Sequence, residues 1–508
     1  MSSLKVVFAV AALLASVNII KSQTFDRKYW EKQNVEELNR SFQESRVSVA
    51  KNLVLAIGDG MGVTTATATR VYRGQKTAGM LGEEALLSWD KFPHTGLCKT
   101  YCTDMMTPDS GASSTAYHCG VKTKYEMIGV DDTAQRKQCS TVAAATVPSV
   151  LDHALAEGKS VGIVTTDAIV GASPSAAYAH TAFRNWRADY ELPDDAKGVC
   201  KDIARQLIED NLDIHVLLGG GRKYFLPNNQ SDPEYPNESG SRTDGKDLTK
   251  IWLDSQMKKG RKARYVTDQA GFDAATPENT DYLFGMFEPD RVQEETERRK
   301  TNKEPSVAEM TRKAIEILSK NPKGFYLFIE GGNIDVGHHE NRARMALEEG
   351  LAFDDAVSTV MNMTSSDNTL VVVSADHSHA FSFGGYTQRG QDILSIANNS
   401  YYSSKDETGN YHTVLSYGNG PGFKSAEDRV NLTANPNYYD EDQTYLSVIP
   451  LKADTHGGDD VSIFASGPMS HLFNGVHEQT FIAYGMSYAA CIGLEKSFCN
   501  DERYKSRQ

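Results

Sequence analysis

The segment from Asn52 to Gly60 reads NLVLAIGDG, an unbroken apolar run closed by an acid set between two glycines. A strand with one face in water alternates polar and apolar residues, whereas a run that is apolar throughout suits a strand covered on both faces. The same form returns in SVGIVTTD from Ser160, IHVLLGGG from Ile214, GFYLFIEGG from Gly324 and TLVVVSADH from Thr369. Helix-period segments such as SVLDHALAEG and VAEMTRKAIEILSK lie between these runs. The alternation predicts an α/β fold with a large central, mostly parallel sheet flanked by helices. Ligands of such sheets gather beyond the carboxyl ends of the strands. Asp59, Glu330, Asp376 and His377 stand at that edge.

Bare acidic side chains at neighbouring strand ends repel one another, and a divalent cation removes the conflict. Carboxylate with neutral imidazole is a zinc-type ligand set. EGGNIDVGHHENRA, from Glu330, adds Asp335 and His339, which share one face if a helical turn begins at the aspartate. An exposed helical pair is the plainer reading of an isolated D-x-x-x-H; the strand ending in Glu330 beside it favours a metal.

TPDSGASSTAY, Thr107 to Tyr117, places one acid before Ser110 and only small residues after it. By itself this composition suits a surface turn. No G-x-S-x-G elbow frames a serine esterase. IGDGMG lacks the third glycine of a dinucleotide loop, with Val63 in its place, and GSRTDGKD has Asp247 where a P-loop needs Ser or Thr.

The chain has 508 residues, enough for one large domain with insertions, and its formal charge of -14 argues against duplex nucleic acid as a partner. Lys5 followed by an apolar run to Ile20 predicts a secretory signal peptide over residues 1–22, with the cut point open, and a signal anchor as the alternative. The tail CNDERYKSRQ is polar, so the expectation is a secreted, extracellular protein with no lipid-anchor signal. Sequons at Asn39, Asn229, Asn237, Asn362, Asn398 and Asn431 fit that compartment, as does the possibility of disulfides among seven cysteines, at least one of which must stay unpaired within the chain.

NLVLAIGDGMG, TPDSGASSTAYHCGVK, ASPSAAYAHTAFRNW, FIEGGNIDVGHHENRA, SADHSHAFSFGGY and DTHGGDDV occur in this order between Asn52 and Val461. Together they closely resemble the animal-type alkaline phosphatases, over nearly the whole chain after the leader. The resemblance implies a single catalytic domain over residues 23–508, with a crown-like surface lobe at about 383–450. It implies hydrolysis of phosphate monoesters at alkaline pH, with Ser110 as the phosphorylated nucleophile and Arg184 gripping phosphate. Asp335, His339 and His456 match the ligands of one zinc; Asp59, Asp376 and His377 match those of a second, which Ser110 also reaches. Asp59, Ser173 and Glu330 match a magnesium site, and His379 stands behind the ligands. Glu234, Glu288, Glu304 and the carbonyl of Phe287 match a calcium site, although aspartate is usual at the last acid. Disulfides Cys139–Cys200 and Cys491–Cys499, a buried free thiol at Cys119, and a homodimer follow from the same likeness. Cys98 and Cys102 are extra, and in a strand they stand about 13 Å apart, too far to bridge.

A sulfatase or phosphodiesterase of the same superfamily is the enzymatic alternative; Ser110 lacks the C/S-x-P-x-R context of the first and is not the threonine usual in the second. A binding protein on a phosphatase scaffold is the other. Two positions depart from the family: Gly171 and Val336 stand where relatives commonly carry His or Asp and His or a basic residue. Loss of such outer partners typically costs about 10- to 100-fold in metal affinity or activity. The expectation is therefore a weaker magnesium site.

Overall fold

The computed structural model describes residues 47–397, 409–425 and 442–493, together with residues 405, 407, 496 and 499. The leader at 1–22, the sequons at Asn39, Asn398 and Asn431, part of the lobe at 383–450 and the last residues lie outside the described set. Asn229, Asn237 and Asn362 are exposed.

The central sheet draws on β1 (Asn52–Gly58), β2 (His94–Lys99), β3 (Ser160–Ala168), β4 (Val216–Gly220), β5 (Ala263–Val266), β6 (Tyr282–Met286), β7 (Phe325–Gly331) and β8 (Thr369–Ala375). The short strands β9 (Ser378–His379), β10 (Phe381–Phe383), β11 (Leu415–Gly420), β12 (Ser447–Pro450) and β13 (His456–Gly457) follow. The chain then returns to the large sheet with β14 (Val461–Ser466) and β15 (Gly475–Glu478), giving ten strands in the order β15-β2-β14-β8-β1-β7-β3-β4-β6-β5. Among these, β14 is antiparallel to both of its neighbours and the rest are parallel.

The uninterrupted apolar runs occupy the middle of the sheet, and every residue of β3, β7 and β8 is buried. Helices cover the faces. The helix Val307–Leu318 is typical: Ser306 caps its first turn, Glu309 returns the hydrogen bond to the Ser306 amide, and Met310, Ala314, Ile315, Ile317 and Leu318 form its buried side. The small sheet β10-β11-β12 lies in the stretch expected to form the lobe, and there Phe381, Ile393, Leu394, Leu415, Tyr417 and Tyr445 form one cluster with Ala68, Val71, Leu347 and Leu351. No helix among the described residues is long and apolar enough to cross a membrane.

Register decides where the chemistry lies. Ile57 of β1 pairs with Glu330 of β7, Gly58 pairs with Ala375 of β8, and Thr165 of β3 pairs with Glu330 from the other side. Asp59, Glu330 and Asp376 therefore emerge side by side at one edge. The disulfides Cys139–Cys200 and Cys491–Cys499 are present, while Cys98, Cys102 and Cys119 are free. Cys119 is half-buried rather than buried, because it ends the helix Ser110–Cys119 beside a cleft of about 200 Å³ lined by His153 and Tyr484.

Candidate active site

Ser110 is the first residue of the helix Ser110–Cys119, and Asp109 is its cap. The Asp109 carboxylate accepts from the amides of Gly111 (3.0 Å), Ala112 (3.2 Å) and Glu126 (2.7 Å), and from Arg184 Nη1 (3.0 Å). One side chain thus fixes the serine, starts the helix and aims the arginine. Burial works against the charge on Arg184, and Asp109, then Asp59, outweigh it and hold the group charged. Asp109 has no role in the sequence reading; an acid just before a helix of small residues is the capping signal that marks it.

Ser110 Oγ lies 3.3 Å from His377 Nε2. That nitrogen is 3.0 Å from Asp376 Oδ2 and 3.6 Å from Asp59 Oδ1. The other oxygen of Asp376 accepts from the amides of Gly60 and His377, both at 2.8 Å. Gly60 has φ +69°, and a Cβ there would fall 2.6 Å from the His379 ring. Gly60 therefore admits the histidine segment beside Asp59.

The short helix Asn333–His339 sets Asp335 and His339 on one face, with Asp335 Oδ2 3.2 Å from His339 Nε2. His456 arrives by backbone pairing of β13 with β9, opposite His379. Nδ1 of His339 meets the Asp454 carbonyl at 2.6 Å, and Nδ1 of His456 meets the Pro108 carbonyl at 2.9 Å. A carbonyl can only accept, so both rings carry their proton on Nδ1 when neutral. Their Nε2 lone pairs then face each other at 3.3 Å, with Asp335 Oδ1 3.6 Å from that of His456. Two lone pairs and a carboxylate at this spacing repel unless a cation lies between them.

The atoms of Asp335, His339, His379 and His456 all lie within 4.8 Å of one another, as do those of Asp59, Asp335 and His377. His379 gives both nitrogens to carboxylates, Asp335 at 2.7 Å and Asp454 at 2.9 Å. Burial opposes its charge, but these two hydrogen bonds prevail and push it up to about 9. In this structure His379 thus acts as a clamp between Asp335 and Asp454.

Ser173, on the short helix Ala172–Ser175, directs Oγ at Asp59 Oδ2, 3.4 Å away. Glu330 Oε2 accepts from Thr165 Oγ1 at 2.5 Å, a partner absent from the sequence reading because a threonine in a buried strand carries no local signal. Asp59 Oδ1, Glu330 Oε1 and Asp376 Oδ2 are buried without a hydrogen-bond donor. Burial, then Asp376, Asp335 and Glu330, raises Asp59 well above the usual carboxylate range; burial, then Asp167, pushes Glu330 up to about 8. Orphaned oxygens and mutually raised acids are what carboxylates show when their counter-charge is a cation, and the residues fit bound metal ions.

At Gly171, where the sequence leads one to expect an outer polar partner to be missing, a neighbouring carboxylate stands close by. A Cβ at Gly171 would lie 2.0 Å from Asp167 Oδ2, so the carboxylate of Asp167 fills the room that a side chain at 171 would take. A histidine placed there would have to displace it.

Away from this edge, Glu288 and Glu304 are buried, and Glu234 is half-buried. Glu304 accepts from the Gln293 amide at 2.6 Å through one oxygen, and its other oxygen is orphaned. Burial, then Glu288, pushes it up to about 8. Glu288 accepts from Tyr235 Oη (2.8 Å) and Gln293 Nε2 (2.9 Å), and Glu234 has Arg222 at 3.6 Å.

A sequence model of the alkaline phosphatase family matches residues 50–492. The tissue-nonspecific alkaline phosphatase of Gallus gallus is 45% identical over 500 residues, covering 96% of this chain and 94% of the relative. An alkaline phosphatase of Gadus morhua is 46% identical over 475 residues, covering 92% and 98%. The crystal structure of Thermus thermophilus alkaline phosphatase, 20% identical, superposes with a TM-score of 0.63 over 89% of this chain and 94% of that one, a likeness of fold. The sheet, with its row of acids and imidazoles at one edge, is thus that of a metal-dependent hydrolase, and the chain belongs to the alkaline phosphatase family. Phosphate monoesters are the substrates of that family.

Proposed function

We propose that this chain hydrolyses phosphate monoesters at alkaline pH through a phosphoserine on Ser110, with two zinc ions and one magnesium. The observation that carries the reading is Ser110 Oγ at 3.3 Å from His377 Nε2, among orphaned carboxylate oxygens, with Arg184 docked on the same Asp109 that caps the serine. Asp335, His339 and His456 would hold one zinc, Asp59, Asp376 and His377 the other beside Ser110, and Asp59, Ser173 and Glu330 the magnesium. When bound, such ions lower the pKa of a hydroxyl or water and stabilise charge on the attacking and leaving oxygens.

The rest falls to the protein. Ser110 Oγ forms a bond to phosphorus as the ester oxygen departs with the alcohol. Water then breaks the serine–phosphorus bond and phosphate leaves. The amides of Gly111 and Ala112 are engaged by Asp109, so the grip on phosphoryl oxygens rests on Arg184, whose planar fork matches two of them. Small residues after Ser110 leave space for the phosphoryl group. Recognition confined to phosphate admits many leaving groups.

Assay with a chromogenic monoester separates this reading from a binding protein on the same scaffold. Turnover that disappears with a chelator and returns with zinc and magnesium is expected; turnover indifferent to chelation, or absent from fully loaded protein, would overturn it.

The same reading extends to a calcium site at Glu234, Glu288, Glu304 and the Phe287 carbonyl, supported by the orphaned oxygen of Glu304. Calcium is expected to raise the thermal midpoint of the wild type and to leave that of Glu304→Gln unmoved, because a ligand stabilises only a fold that binds it. Equal shifts in both would remove the site. Secretion, supported by exposed Asn229, Asn237 and Asn362, and homodimerisation complete the proposal. Endoglycosidase shifts and sedimentation of the secreted protein test them; an unglycosylated or monomeric product would contradict each in turn.

A further inference from the structure

Asp167 ends the apolar run SVGIVTTD, yet it belongs to none of the metal sets. Its amide donates to Thr165 Oγ1 (2.8 Å), which in turn donates to Glu330. A Cβ on Gly171 would meet its Oδ2 at 2.0 Å, and one on Gly332 would meet its Cβ at 2.9 Å. The side chain is therefore wedged between the turn that leads to Ser173 and the turn that follows Glu330.

Its partner is Arg291, whose Nε lies 2.8 Å from Asp167 Oδ1. Arg291 sits in the loop after β6, and that loop is stapled to the strand ends. The Val292 amide donates to the Thr166 carbonyl (3.2 Å), and Asn333 Nδ2 donates to the Val292 carbonyl (3.2 Å). The Asn333 amide also donates to Thr166 Oγ1 (3.1 Å). The backbone under Arg291 is thus fixed to β3 and to the helix that carries Asp335. Its side chain remains 45% exposed.

Asp167 first holds the Arg291 guanidinium well above its ordinary range against the opposing effect of burial, and Asp335, Asp290 and Asp59 add to it. Arg184 feels Asp109, Asp59 and Asp167. The charges of Asp59 and Asp167 thus act on two guanidinium groups from separate segments, one docked on Asp109 and the other on Asp167.

We propose that Arg291, aimed by Asp167, is a second phosphate-binding arginine, contacting the substrate's phosphoryl oxygens alongside Arg184. This rests on the phosphatase reading. Arg291 is 45% exposed, which screens its pair with the buried Asp167 and limits what the pair adds to stability, so the orientation of the fork is its main effect. Asp167 is a positioning residue, and Arg291 is the group that touches substrate and, after hydrolysis, inorganic phosphate.

The test uses the metal-loaded wild type, Arg291→Ala, Arg291→Lys and Asp167→Asn. Calorimetric titration with inorganic phosphate is combined with KM, kcat, metal content and thermal midpoint for each. In Arg291→Ala the phosphate Kd and KM are expected to rise about 10- to 100-fold, the loss of one charged hydrogen bond, with zinc, magnesium and midpoint unchanged. Arg291→Lys is expected to recover part of the loss, and Asp167→Asn to fall between wild type and Arg291→Ala. Unchanged phosphate affinity in Arg291→Ala, or weaker affinity that tracks lost metal, would overturn the assignment. A wild type that neither binds phosphate nor turns over monoester would instead overturn the phosphatase reading itself.

Discussion

Ser110→Ala is expected to lower turnover by several orders of magnitude while leaving the fold and the metal content intact. In the proposed reaction the hydroxyl is the attacking group, and a methyl group in its place cannot form the bond to phosphorus. It fits the same space, because Ser110 is buried at a helix start whose cap belongs to Asp109 and does not use the serine oxygen. Circular dichroism and elemental analysis establish the intact fold and metals. Burst and steady-state kinetics on a chromogenic monoester measure the loss. Retention of a tenth of the wild-type rate by such a protein would mean that another group attacks.

His456→Ala is expected to be next in severity, and more damaging than Arg184→Ala. His456 stands among Asp335, His339 and His379 with its Nε2 free to bind, and its Nδ1 ties the same ring to Pro108 beside the nucleophile. Losing an outer partner of a metal site typically costs about 10- to 100-fold; losing a ligand itself should cost more. In the proposed role Arg184 would supply two hydrogen bonds to phosphate, each contributing about 1.5–3 kcal/mol when charged. Its removal should therefore weaken substrate binding and slow turnover while zinc content stays whole. Zinc content and kcat, measured at several zinc concentrations, separate the two variants. Equal losses in both at saturating zinc would reverse the ordering.

The fold was legible because the strands that matter are buried on both faces. NLVLAIGDG, GFYLFIEGG and TLVVVSADH spell out β1, β7 and β8 in full, and parallel register brings the residues that follow them to one edge. The strands β2, β5, β6, β14 and β15 gave no such run. In β2, exposed residues alternate with buried ones, and β14 and β15 are partly exposed. Candidate metal ligands stood out in the sequence where they end a strand or lie four apart on a helical turn. His456 was placed only by family likeness, since a two-residue pairing of β13 with β9 has no periodicity to read. Asp109, Thr165 and Asp454 act through other side chains, and that relation exists only in three dimensions. Asp167 ends a buried run as Asp59 and Glu330 do, but its partner Arg291 is 124 residues on, in a loop without a motif.

Ser110 as the group that carries phosphate is the centre of this account. The protein, loaded with zinc and magnesium, is incubated with radiolabelled inorganic phosphate, quenched in acid and digested, and the labelled peptide is sequenced. Label confined to Ser110, and absent from Ser110→Ala, is the predicted result. Label on Ser113, Ser114 or any other residue of the wild type would contradict it.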